Sequence, residues 1–260
     1  QDLAATNTHI HPLGRTVPGE GTLTVTGADP HLDDVIVMGC VSPVEKFSAA
    51  GEYWAIGACS EDGRQFEVCV DGKVADRVEW SMHGAHNRLN ALAAIAAARH
   101  AGVPVGQACA ALAEFKGIKR RLEVLGVVDG ITVYDDFAHH PTAIIETLAA
   151  VKEISADGRI LAVLEPRSNT MRMGVHKKQL LDSLQQADSI YLYQPDNIDW
   201  DLGDLARRSS AAANVYDDVA DIIHAVIRQA QPGDHVVIMS NGGFESIHGR
   251  LLQALEKRAA

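Results

Sequence analysis

From Ile131 onward the chain alternates short, continuous apolar runs with stretches of helical period, and this alternation narrows its fold more than any other feature. Ile131 to Tyr134, Ile160 to Leu164, Ser189 to Tyr193 and His235 to Met239 read as strands. Thr142 to Ile154, Lys177 to Gln186, Val219 to Gln229 and about Ser246 to Lys257 read as helices. Strands that are apolar along both faces need cover on both faces, and helical crossovers between them impose a parallel arrangement. The expected fold class is therefore α/β, with a Rossmann-like, doubly wound, mostly parallel sheet. In such sheets ligands gather beyond the carboxyl ends of the strands, so the strand-to-helix loops are the places to search.

The segment before Ile131 reads differently. Thr22 to Val25, Val35 to Met38, Tyr53 to Ala58 and Phe66 to Val70 are short β-rich runs separated by turn sequences, with Asp71-Gly72 as a further turn. An Ala-rich helix starting near His86 ends at Gly102 and Pro104, and a second helix spans Val105 to Glu114. A linker at Gly117 places the domain boundary there, giving domains of 1–117 and 118–260. The first eighteen residues keep neither period for long, and with no initiator Met they read as the start of an excised fragment.

Composition removes several function classes. A formal charge of -11 opposes binding to a nucleic-acid backbone, so no nucleic-acid partner is expected. No apolar run approaches the length of a membrane span and no basic-then-apolar leader opens the sequence, so a cytoplasmic protein without a membrane partner is expected. Cys40, Cys59, Cys69 and Cys109 are scattered without metal-binding spacing, and read as buried free thiols.

The loops after the strands carry the polar chemistry. Asp135-Asp136 and His139-His140-Pro141 suit a metal, ribose hydroxyls or an anion, or else simply cap the following helix. Adjacent histidines cannot share a helical face, which weakens the metal reading. Arg167 and Arg172 flank Ser168-Asn169-Thr170 and suit carboxylates, though exposed loop arginines are common. Gln194, Asp196 and Asn197 form a third loop, and Ser240-Asn241-Gly242-Gly243-Phe244 is either an anion-binding turn or a tight turn alone. Upstream, Asn87 and Asn90 fall on one helical face and could read an adenine edge, with helix capping by Asn87 as the other reading. Lys119, Arg120 and Arg121 are a phosphate clamp or a solvated linker. The sequence contains no Gly-x-x-x-x-Gly-Lys-Ser/Thr loop to cradle a triphosphate.

In their order and spacing, His86-Asn87-x-x-Asn90-Ala91-Leu92, Gly117-x-x-Arg120-Arg121-Leu122-Glu123 and Asp136-Phe137-Ala138-His139-His140-Pro141 resemble the Mur ligase family over nearly the whole chain. Glu165 to Met171 and Ser240 to Phe244 resemble the branch that adds a recycled murein tripeptide more than the branch that adds L-alanine alone. The resemblance implies an ATP-dependent amide-forming ligase, with UDP-N-acetylmuramate and the tripeptide L-Ala-γ-D-Glu-meso-diaminopimelate as partners. It also implies that 1–117 is the truncated second half of an ATP-binding central domain, built of strand hairpins and Ala-rich helices, and that 118–260 is a peptide-binding C-terminal domain. The phosphate loop and the magnesium ligands are expected upstream, so no metal site is expected here and the chain alone is expected to be inactive.

Carried over position by position, the resemblance implies Asn87 and Asn90 at adenine, Arg121 at the nucleotide phosphates and Asp136 at the ribose. It implies His139 at the reaction centre, and Phe137, His140, Arg167, Ser168, Asn169 and Asn241 at the incoming peptide. Two departures stand out: Phe137 replaces a common tyrosine, and Glu245-Ser246 occupies positions where small glycines are expected. Other readings are an L-alanine-adding ligase, a folate-branch ligase and a non-catalytic adenine-nucleotide-binding module. The last draws on the missing phosphate loop.

Overall fold

The computed structural model describes residues 3–260 apart from 156, 169, 170, 172, 175, 176, 195–197 and 199, and apart from the side chain of 178. The chain divides into two compact units, Gln1–Lys116 and Gly117–Ala260, one residue away from the expected boundary.

The first unit holds a sheet in the order β1-β2-β3-β4-β5, formed by Leu23–Thr26, Val44–Ser48, Trp54–Cys59, Gln65–Val70 and Lys73–Glu79. β1, β2 and β3 run parallel, and β3, β4 and β5 antiparallel. Phe66 and Val68, two residues apart on β4, pack with Trp54, Val78 and Trp80 against Leu92 and Ile95 of α3 (Ala85–His100) and Cys109 of α4 (Val105–Ala113). Period-2 side-chain alternation thus puts the apolar residues of β4 on one face.

Three expectations fail in this unit, two of them on secondary structure and one on the cysteines. The opening residues form α1 (Leu3–Arg15), despite Pro12 inside it, and Val35 to Met38 lies in and just beyond α2 (Pro30–Val37) rather than in a strand. The Asp29 side chain accepts the His31 amide at 2.9 Å, and Pro30 opens the helix, so local capping overrides the β preference of Val35 and Ile36. The thiols are free, yet only Cys109 is buried and Cys59 is exposed.

The second unit is the expected doubly wound sheet, in the order β10-β9-β8-β11-β7-β6. Its strands are β6 (Glu123–Val128), β7 (Ile131–Asp136), β8 (Ile160–Leu164), β9 (Ser189–Tyr193), β10 (Ala212–Tyr216) and β11 (His235–Met239). Only β6 runs antiparallel to its neighbour. Three successive crossovers in one direction, through α5 (Pro141–Ile154), α6 (Lys177–Ser183) and α7 (Leu202–Arg208), place these helices on one face. The return from β10 to β11 through α8 (Val219–Gln229) puts that helix on the other face with α9 (Ile247–Ala259). β8 shows the division residue by residue: Ile160, Ala162 and Leu164 enter the first core, while Leu161 and Val163 enter the second. No described helix is long and apolar enough to cross a membrane.

Candidate functional site

The parallel strands end level. Met239 pairs with Asp136 on one side and with Leu164 on the other, and Leu164 pairs with Leu192. The loops after β7, β8, β9 and β11 therefore leave one sheet edge, as the topology predicts.

At the end of β7, Asp136 is 4% exposed and its carboxylate is occupied by the chain itself. Oδ2 accepts the Leu122 amide at 2.6 Å, while Oδ1 accepts the Ala138 amide at 2.7 Å and the Thr147 hydroxyl at 3.1 Å. Burial raises its pKa, and these hydrogen bonds together with the charge of Arg121 pull against that rise. Its geometry is that of a brace joining the linker, the loop and α5.

The two histidines that follow are held in opposite tautomers. His139 Nδ1 lies 2.8 Å from the Phe137 carbonyl, which can only accept, so Nδ1 bears the proton and Nε2 of the neutral ring holds the lone pair. His140 is the N-cap of α5, its Nδ1 accepting the Thr142 amide at 3.3 Å ahead of Pro141 at the first helical turn. The helix-capping reading thus describes His140.

The basic trio also divides. Arg120 turns inward: Nε lies 3.2 Å from Asp135 Oδ2, and Nη2 donates to the carbonyls of Ser240 at 2.6 Å and Gly242 at 2.9 Å. His248 Nε2 approaches Asp135 Oδ1 at 3.1 Å, out of line for a hydrogen bond. Arg121 is exposed. The guanidinium groups of Arg120 and Arg121 lie 5.2 and 5.8 Å from the Phe137 ring centre.

Across the edge, buried Glu165 accepts a short hydrogen bond from the Ser240 hydroxyl, and the same hydroxyl accepts the Gly242 amide at 2.9 Å. Arg167 is exposed and its guanidinium lies against the Cα of Gly242, where any Cβ would collide with it. Ser168 takes the Met171 amide at 3.4 Å. Asn241 Oδ1 is buried with no hydrogen-bond partner among the described residues. Phe244, Glu245 and Ser246 follow with φ of 42°, 45° and 58°. Those left-handed values give the expectation of glycine at Glu245-Ser246 its physical reason.

Asn169, Thr170, Arg172, Asp196 and Asn197 lie outside the described residues. In the first unit, the Asn87 amide donates to the His83 carbonyl at 2.8 Å, while Gly84 occupies the N-cap of α3, so Asn87 is not the cap. Asn90 is exposed one turn further on. Sequence reasoning assigned no role to Glu165, Ser240 or His248. The polar residues directly after the apolar strands β8 and β11 were the available signal for the first two, but nothing near His248 in sequence points to Asp135.

Residues 120–242 match the family described as Mur ligase, glutamate ligase domain. The UDP-N-acetylmuramate–L-alanyl-γ-D-glutamyl-meso-2,6-diaminoheptandioate ligase of Escherichia coli is 45% identical over 99% of this chain, and its Haemophilus influenzae counterpart 41% identical over 98%. The chain spans 56% of the length of each. A crystal structure of a murein peptide ligase from Psychrobacter arcticus matches 99% of this chain and 56% of its own, with 42% identity and a TM-score of 0.74. From its strand-end loops to its matched domain, the chain belongs to the Mur ligase family.

Proposed function

We propose that this chain is part of an ATP-dependent ligase that joins L-Ala-γ-D-Glu-meso-diaminopimelate to UDP-N-acetylmuramate in cytoplasmic recycling of cell-wall peptide, and that its second unit binds the peptide. One observation carries the reading: Arg167 lies on Gly242, next to the unpartnered buried acceptor of Asn241. That pairs an exposed guanidinium with an amide oxygen, which suits a ligand bearing carboxylates and N–H groups. The resemblance to ligases of this tripeptide selects which such ligand, since an L-alanine ligase relative reaches only 35% identity over 76% of the chain.

In this reading Arg167 takes a peptide carboxylate in a bidentate grip, with Ser168, Asn169, Phe137 and His140 around the same ligand. Asn241 Oδ1 accepts from a peptide N–H. His139 Nε2, whose lone pair is fixed by the Phe137 carbonyl, receives the proton lost as the peptide amine attacks the activated carboxyl carbon and phosphate leaves. ATP supplies the phosphoryl group that activates the muramoyl carboxylate. Taken unit by unit, Asn90, with Asn87 beside it, is assigned to adenine in the first, and Arg121 to phosphate charge in the second. Asp136 acts as a brace, because a ribose would have to displace three hydrogen bonds already made. Magnesium belongs to the same reaction, but no described group of three or more His, Cys, Asp or Glu suits it, and no step is assigned to it. Residues 1–116 are read as part of the ATP-binding domain and 117–260 as the peptide-binding domain.

Calorimetric titration of this chain with the tripeptide tests the reading. Binding that Arg167→Ala weakens about tenfold or more, the scale of a lost charge-assisted pair, is the expected result. No binding, or equal affinity for L-alanine, would overturn it.

A further inference from the structure

Asp135 and Arg120 are buried or half-buried at the strand edge, yet neither is needed to contact a ligand in the proposed function. Asp135 is 7% exposed and is approached from two separate elements, by the Arg120 guanidinium in the linker at 3.2 Å and by His248 Nε2 on α9 at 3.1 Å. Arg120 in turn holds three pieces of chain, at Glu123, at 135–137 and at 240–242. Its amide donates to Glu123 at 2.8 Å, its carbonyl accepts the Phe137 amide at 2.8 Å, and its guanidinium reaches Asp135 and the carbonyls of Ser240 and Gly242. The last two carbonyls flank Asn241. A single planar fork therefore fixes the backbone on both sides of the residue whose buried side-chain oxygen lacks a partner.

This grip is needed because the loop does not hold its shape by local preference. Phe244, Glu245 and Ser246 all adopt left-handed backbone, which is unfavourable for a non-glycine residue. Arg120 itself has φ of 60° and Leu122 of 48°. Such a run persists only where surrounding contacts over-determine it.

We infer that Arg120 and Asp135, with His248 behind them, are positioning residues that hold the 240–246 loop so that Asn241 faces the incoming peptide. The inference rests on the peptide-site reading, and its test separates the two.

Hydrogen exchange of this chain, followed by mass spectrometry with and without tripeptide, reads the loop directly. The amides of Ser240, Gly242 and Ser246 donate within it or to β7, so their protection reports its shape. In Arg120→Ala and in the near-isosteric Asp135→Asn, exchange across 240–246 should quicken at least tenfold while β8 and β11 keep their protection. Tripeptide affinity should fall at least tenfold, and Arg120→Lys, which keeps the charge without the fork, should restore only part of both. Unchanged loop exchange, or quickening spread equally through β8 and β11, would overturn the inference. Full loop quickening with unchanged affinity would also overturn it. If the unsubstituted chain binds no tripeptide, the peptide-site reading falls instead, whatever the exchange shows.

Discussion

In the second unit every residue of β8 is buried and helices cover both faces of the sheet, whereas in the first unit α1 and α2 contribute no buried residue. The first unit's core draws on α3 and α4 against a sheet whose outer strand, β5, buries only Val78. A two-sided core makes a stiff platform whose edge can carry buried charges. Elements without buried apolar contacts belong to the low-stability end of a fold.

The sharpest way to break this contrast is to cut one leucine from each unit. Leu148 on α5 is fully buried, and Leu148→Ala should cost about 2–5 kcal/mol in urea unfolding of the second unit. Leu13 on α1 is 65% exposed, and Leu13→Ala should change stability by no more than about 0.5 kcal/mol. A comparable loss at both positions would remove the distinction.

A smaller effect should follow pH. His235 Nδ1 lies 2.9 Å from the Tyr134 hydroxyl, and burial holds its pKa below the ordinary 6.5. As the pH falls through 6.5, the unfolded chain takes up a proton that folded His235 refuses. Stability attributable to this group is thus full above 6.5 and declines from there down to the folded value. Urea midpoints of the wild type should fall over that window, and His235→Gln should flatten the decline. An identical slope in both proteins would show that the half-buried His235 is not the source.

One expected change is a gain. Ser246 sits exposed at φ of 58°, so Ser246→Gly should raise stability by up to about 1 kcal/mol in the same assay. A loss would mean that the hydroxyl matters more than the backbone.

The parallel sheet was readable because buried strands announce themselves: the bounds expected for β8, β9, α8 and β11 are those observed. Several elements with few buried residues were not readable, although β1, β3 and β4 were read from their β-rich runs. β10, of which no residue is buried, and β5, with a single buried residue, carry too weak an apolar pattern to separate from loop. β2, β6 and the short α7 were missed for the same reason. In the site, the loops were legible as polar punctuation after strands, but the division of labour within them was not. Arg120 and Arg121 are alike in residue type and setting, and although the resemblance singled out Arg121, only the fold shows Arg120 turned inward to Asp135 and Arg121 exposed. Asp136 announced itself as a ligand by its neighbours, while its three hydrogen bonds come from the linker, the loop and α5.

The level ends of the strands have a consequence for altering what this protein accepts. Because Met239 sits in one row with Asp136 and Leu164, the spacing between Asn241, Arg167 and His139 is inherited from strand register, about 3.3 Å for each residue along a strand. A slip of one residue would turn every inward side chain of that strand outward, which both cores forbid. The sheet behaves as a fixed ruler, so a loop grafted between its level ends inherits their spacing, but a graft at 240–246 must also keep the Ser240 and Gly242 carbonyls that Arg120 grips.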